Sequence, residues 1–188
     1  MKKYLIFAAM LLITSMCLAQ EKKDVTKFMG IPVDGTKSEM IQKLKAKGFT
    51  YNVEHDWLKG EFNGSDVILN INTVNGKVWR VAVLTPDGTR TLSGYDETQV
   101  RIRFNRLCQQ FERNPKYVSL LGTESQEIGD EEDISYEMSV KSKQYEAGYL
   151  QDGDEMKLVW FTIRNYYNDY FICIFYENSY NAANGEEL

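Results

Sequence analysis

Two stretches of strict period-two alternation, each introduced by a helix signal, constrain this chain more than any other feature. Alternation places successive side chains on opposite faces of a strand, so runs of it joined by tight turns call for a sheet with one apolar face. In the first stretch, residues 58–62 and 67–71 alternate, and residues 77–84 return after Asn75-Gly76. Asn-Gly accepts positive φ at both central positions of a two-residue hairpin, which predicts an antiparallel return. The second stretch comprises residues 145–149, 157–164 and 170–176, with a turn near Asn168-Asp169.

The helix signals match in kind. Thr36-Lys37-Ser38-Glu39 is a capping box, Met40, Ile41 and Leu44 form an apolar stripe, and Gly48 supplies a left-handed stop. Residues 96–113 read as a longer helix with Val100, Phe104, Leu107, Cys108 and Phe111 on one side, stopped by Asn114-Pro115. The halves superpose in sequence. Leu58, Gly60 and Phe62 match Tyr145, Ala147 and Tyr149, and Val67, Leu69 and Ile71 match Val159, Phe161 and Ile163. Asn75-Gly76 matches Asn168-Asp169, and Trp79, Val81 and Val83 match Ile172, Ile174 and Tyr176. The expected fold is therefore α+β: two tandem helix–antiparallel-meander units, with helices packed on one face of a shared antiparallel sheet.

A helix followed by an antiparallel meander, used in tandem, resembles the fold of the β-lactamase inhibitor protein and of BamE/SmpA-type envelope modules. The segment Gly30-Ile31-Pro32-Val33-Asp34-Gly35-Thr36, leading into Met40, Ile41 and Leu44, resembles the approach to the helix in such modules. The whole chain also resembles a group of small exported bacterial proteins of unassigned function. The likeness spans 28–177 and implies the fold alone. The chain departs from the BamE type in having two units and no good lipobox.

Lys2 and Lys3, the apolar run 5–13 and the small-residue exit 14–19 read as a cleavable signal peptide cut before Gln20. The apolar run is shorter than the ~20 residues of a membrane-spanning helix. Met16 stands where a lipobox wants a small residue, which disfavours lipid attachment at Cys17. The expected organisation is signal peptide 1–19, a flexible segment 20–27, a first unit 28–90, a second unit 91–177 and a flexible tail 178–188. Cleavage removes two of the 22 basic residues and none of the 27 acidic ones, taking the formal charge from −5 to −7. That charge disfavours nucleic acid and anionic membranes as partners. The expected location is the periplasm or the exterior, with no integral membrane segment in the mature chain.

If helices cover one sheet face, strand parity gives the other. In the first half it carries Lys59, Glu61, Ile68, Asn70, Asn72, Val78, Arg80 and Ala82, an ordinary solvated mixture. In the second it carries Trp160, Thr162, Arg164, Phe171, Cys173 and Phe175. An aromatic cluster with an arginine marks a candidate partner-binding surface on Trp160, Arg164, Phe171 and Phe175. The rival is that loop 123–144 folds over these residues as a second small core. The same parity puts Cys108 and Cys173 on opposite sides of the sheet, which predicts two unpaired thiols.

Other sites are weaker. His55 is the lone histidine, between Glu54 and Asp56, and neighbours in an extended stretch point apart. An exposed turn before Trp57 is the expectation, and a hydrolase using this region, or a Cys108–His55 dyad, is the enzymatic alternative. No nucleophile elbow, phosphate loop, dinucleotide glycine pattern or zinc spacing occurs, so no cofactor and no metal is expected. The run Asp130-Glu131-Glu132-Asp133 lacks calcium-loop spacing and reads as a solvated insertion. Asp152-Gly153-Asp154 reads as a hairpin turn, and Tyr166-Tyr167 suggests a glycan-binding alternative. The expected role is a non-enzymatic module that binds an envelope or extracellular protein or peptide.

Overall fold

The computed structural model describes residues 24–85, 94–122, 124–166 and 169–182. The expected signal peptide, Cys17, Tyr167 and Asn168 lie outside them. A short hairpin, β1 (Lys27–Phe28) and β2 (Ile31–Pro32), precedes helix α1 (Lys37–Ala46). Four strands follow: β3 (Thr50–Asn52), β4 (Trp57–Phe62), β5 (Ser65–Val74) and β6 (Lys77–Thr85). Helix α2 (Glu97–Glu112), strand β7 (Tyr117–Ser119) and helix α3 (Ile134–Ser139) come next. Strands β8 (Glu146–Gln151), β9 (Lys157–Tyr166) and β10 (Asp169–Asn178) complete the chain, with a 3-10 turn at Ser179–Asn181.

Eight strands form one antiparallel sheet in the order β3-β4-β5-β6-β10-β9-β8-β7. The order is palindromic about the β6–β10 seam, so each unit supplies one half. Both main helices start on a full capping box, Thr36 with Glu39 and Asp96 with Gln99. Each box satisfies two of the backbone groups a helix start leaves open. Asn75-Gly76, Asn63-Gly64 and Asp152-Gly153 all carry positive φ at both positions, the geometry that lets strands turn without splaying.

Met40 and Leu44 of α1 and Val100, Phe104, Cys108 and Phe111 of α2 are buried against one sheet face. That face supplies Leu58, Leu69, Val83, Tyr149, Phe161 and Ile174 to a single continuous core. Phe111, Tyr149 and Phe161 form an aromatic stack at its second-half end. The fold is thus α+β, with helices packed against a shared antiparallel sheet.

The register corrects the sequence superposition by two residues. Leu69 faces Val83, and Phe161 faces Ile174. With Leu69 equivalent to Phe161, Val83 is equivalent to Ile174 rather than to Tyr176. Leu58 faces Leu69 and Ala147 faces Phe161, so Leu58 corresponds to Ala147 rather than to Tyr145. Val83 and Ile174 also pair with each other across the seam, so the twofold pseudosymmetry passes through that pair. A second correction is local. Thr73 pairs with Val78 but Asn72 pairs with Arg80, leaving Trp79 as an extra residue in a β-bulge. The bulge reverses parity there. Val78 is therefore fully buried on the helix side, and Trp79, expected in the core, is only half-buried.

Residues 24–34 strap the seam. Lys27 N–H donates to the Gln151 carboxamide at 2.8 Å, and Thr26 Oγ1 donates to the Glu177 carbonyl. Buried Asn178 donates to the Val33 carbonyl at 2.8 Å, and Asn181 donates to Asp34 and to the Val78 carbonyl. Asp24 to Lys27 and Asn178 to Asn181 are thus packed, within the segments expected as flexible ends. Lys157 is almost fully buried and is ringed by Asp24, Asp152 and Asp154.

Candidate interaction face

The three helices pack on one side, and the registers align the side chains of the other into rows. One row runs Asn70, Ala82, Phe175, Trp160, Gly148. The next runs Asn72, Arg80, Glu177, Leu158, Leu150, Val118. Polar groups therefore occupy the first-half end, and aromatic and aliphatic groups the second-half end.

Trp160 and Phe175 are cross-strand partners with ring centroids 4.3 Å apart and planes at 28°. Trp160 Nε1 donates to Glu177 Oε1 at 2.8 Å, and the Arg80 guanidinium holds the same oxygen at 2.6 Å. The guanidinium also lies 4.0 Å over the Trp79 ring and 4.8 Å from the Phe175 centroid. One carboxylate thus orients both the indole and the cation, and the cation bridges two aromatic rings. Both charged side chains are largely shielded from water, so this pair is tighter than a surface ion pair.

Beside Trp160 lies an open groove of about 350 Å³ walled by Leu120, Leu121, Gly148 and Leu158. Its geometry follows from one glycine. The Leu120 N–H donates to the Gly148 carbonyl, carrying the chain past the end of β7. A Cβ on Gly148 would lie 2.5 Å from Leu120 Cδ1, so the missing side chain is what lets Leu120 close over the strand. Gln126 then accepts from the Gly148 N–H at 2.8 Å through its side-chain carbonyl, standing in for a neighbouring strand. Val118, Leu120 and Leu121 are each 52% exposed.

All four sequence-derived candidates lie on this face, in two pairs. Phe171 faces Arg164, and the Cys173–Thr162 pair separates them from Phe175–Trp160. Arg164 is exposed and Phe171 half-buried. Sequence reasoning missed Trp79, Arg80, Glu177, Leu120 and Leu121 as neighbours of the aromatic pair. A bulge moved the first, and the leucines lie in an irregular segment with no period to read.

Beyond Gln126, which borders the groove, segment 127–134 does not cover these aromatics. It runs along α2 on the helix side: Asn105 exchanges hydrogen bonds with Ile128, and Arg101 donates to the carbonyls of Asp130 and Glu132. Ile128 and Ile134 join the main core. Asp133, the last residue of the acidic run expected as a solvated insertion, caps the short helix α3 that follows it. Glu132 accepts from the Tyr145 hydroxyl and pairs with Lys143, which holds its carboxyl below the ordinary range.

The remaining sequence candidates do not converge. Asp56 is held by Lys37 at 2.5 Å and by the Tyr51 hydroxyl at 2.7 Å, and chiefly Lys37 lowers its pKa. His55 is exposed and stacks on Trp57 at 6.3 Å. Cys108 is fully buried, so it forms no dyad with His55, and burial pushes its thiol up to about 12. Cys108 and Cys173 are unpaired, as the strand parity predicts. Among the described residues no group of three or more His, Cys, Asp or Glu is placed to hold a metal ion. No helix among them is long and apolar enough to cross a membrane. No family model, no curated protein and no solved structure matches this chain.

Proposed function

We propose that this protein is an exported, non-enzymatic interaction module that binds a protein or peptide partner through the second-half end of its open sheet face. The observation that carries the reading is the locked aromatic pair. Trp160 and Phe175 are half-buried, stacked, and held by Glu177 and Arg80 beside a groove walled by leucines. Ordered aromatics and arginine make effective anchors because little side-chain freedom is lost when a partner docks. Phe171 and Arg164 extend the surface along the strands. The signal-peptide reading of residues 1–19 supports a partner in the envelope or outside the cell.

The test is a double substitution, Trp160→Ser with Phe175→Ser, followed by capture from an envelope extract. The expected result is a variant that still unfolds cooperatively and loses the partner retained by the wild-type chain. Equal capture by both proteins, or a variant that does not fold, refutes the reading.

A further inference from the structure

Two concave features of similar volume differ in what lines them. The first, on the helix side, encloses about 370 Å³. Tyr117, Gln151 and Tyr176 line it together with other side-chain amides and charges of both signs, a mixture that selects no ligand class. The second is the groove of about 350 Å³ beside Trp160, and its lining is more selective. Leu120, Leu121, Ala147, Gly148, Leu158 and Trp160 make it apolar. Its one side-chain amide, Gln126, is already engaged. The amide carbonyl accepts from the Gly148 N–H at 2.8 Å, and the amino group donates to Ser119 Oγ at 2.9 Å. The one charged residue in the lining is Glu146.

Glu146 is exposed and forms no ion pair among the described residues. Strand parity puts it on the same face as Gly148, about 7 Å further along β8, and Gly148 faces Trp160. Arg164, two residues beyond the Thr162 that faces Glu146, forms no ion pair with it. The backbone is open at the same residue. β7 covers β8 only from Tyr149 to Gln151, and Leu120 and Gln126 take the two backbone groups of Gly148. The Tyr145 carbonyl accepts from the Ile163 N–H at 3.1 Å. Antiparallel ladders alternate, so the N–H and C=O of Glu146 point away from β9. No described strand pairs with β8 there. One residue thus offers a carboxylate, an N–H and a C=O at the end of an apolar groove.

We propose that the groove takes an extended segment of the partner that carries a lysine or arginine two residues from a large apolar side chain. The apolar side chain lies against Leu121, Leu158 and Trp160, and the cation meets the Glu146 carboxylate. The Glu146 backbone holds the segment as an added strand. The spacing follows from the strand period: side chains on one face of an extended chain recur at every second residue, which matches the step from Gly148 to Glu146. This inference rests on the interaction reading above and narrows its partner.

The test pans random linear peptides displayed on phage against the folded chain and against Glu146→Lys, Glu146→Gln and Trp160→Ser. The wild-type chain is expected to enrich sequences with Lys or Arg two positions from a large apolar residue. Glu146→Lys should enrich Asp or Glu at that position instead, and Trp160→Ser should enrich neither set. A synthetic peptide of the enriched sequence should bind Glu146→Gln about tenfold more weakly than the wild type, as expected for one lost charge-assisted contact. Both Glu146 variants should keep the wild-type urea midpoint, because the side chain is exposed. Enriched sequences with no basic residue at that spacing, or the same sequences on wild type and Glu146→Lys, overturn the charge assignment while the aromatic surface stands. Undiminished enrichment by Trp160→Ser overturns the placement in this groove. No enrichment by the wild type overturns the inference, and capture from the envelope extract then decides separately whether the aromatic face binds a folded protein.

Discussion

The two halves of the sheet share a backbone plan and differ on the open face, and the twofold shows where. With Val83 on Ile174 and Leu69 on Phe161, Lys59 corresponds to Gly148, Glu61 to Leu150, Asp66 to Leu158 and Ile68 to Trp160. The first half keeps two acids, a lysine and an isoleucine where the second has two leucines, a glycine and an indole. The core positions show no such divergence: Leu69 and Phe161, Val83 and Ile174 are all apolar and buried. The packing that both halves need is retained in both. The open face is free to vary, and only the second half has gathered apolar groups there. That asymmetry is what the functional proposal rests on.

The comparison breaks first in the core, where the halves should behave alike. Phe161→Ala and Leu69→Ala each remove a fully buried side chain, and each should cost about 2–5 kcal/mol in urea unfolding. A cost near zero at one position alone would mean that the halves do not share one core. The open face should respond less. Trp160→Ser with Phe175→Ser loses a stacked pair and one hydrogen bond to Glu177, at about 1–3 kcal/mol, with a single transition retained.

Two strand glycines sharpen the contrast between the faces. A Cβ on Gly60 would meet the Phe49 ring at 2.6 Å, and Phe49 is buried. Gly60→Ala should therefore cost about 1–3 kcal/mol through overpacking. Gly148→Ala meets only the tip of half-exposed Leu120, which can swing away, so its cost should stay below about 1 kcal/mol. It should also push Leu120 out of the groove and weaken partner capture without lowering the urea midpoint. Equal destabilisation at both glycines would show the open face to be packed as tightly as the core.

The smallest effect concerns the strap, which ties onto the second half through Gln151, Lys157 and Glu177. Hydrogen bonds from Lys157 and then Lys27 hold the Asp24 carboxyl at about 2, below its ordinary 3.8. Asp24 therefore stabilises the folded state above pH 3.8, and that contribution disappears as pH falls toward 2. Asp24→Asn should flatten the acid side of the urea-midpoint profile across that window and change nothing at pH 7 beyond a small constant offset. An unchanged acid slope would mean that the strap is not held through this carboxylate.

How much of this was legible in the sequence follows from the same period of two. Parity assigns faces, so Trp160, Phe171 and Phe175 could be placed opposite Phe161, Ile172 and Ile174. Parity cannot detect a shift of two residues, because such a shift leaves every face unchanged. That is why the apolar set was correct while Ala147 was matched to Gly60 instead of Leu58. A bulge is the one event that breaks parity, and Trp79 crossed faces for that reason. The partners of Trp160 were hidden more deeply. Glu177 and Arg80 meet only because β10 pairs with β6, a contact between units that no local pattern encodes. Leu120 reaches the groove only because position 148 lacks a side chain. The cavity lined by Tyr117, Gln151 and Tyr176 was not legible at all, since these residues come together only in the folded chain.

The central claim is that one end of the open face is a binding surface and the other is not. It is tested most directly by placing a photocrosslinking benzoylphenylalanine at Leu121 in one protein and at Asn70 in another. Both positions are exposed, and they lie at opposite ends of the face. Irradiation of cells exporting each protein should give a discrete adduct of one partner at Leu121 and none at Asn70. The same adduct at both positions, or no adduct at Leu121, would contradict the account.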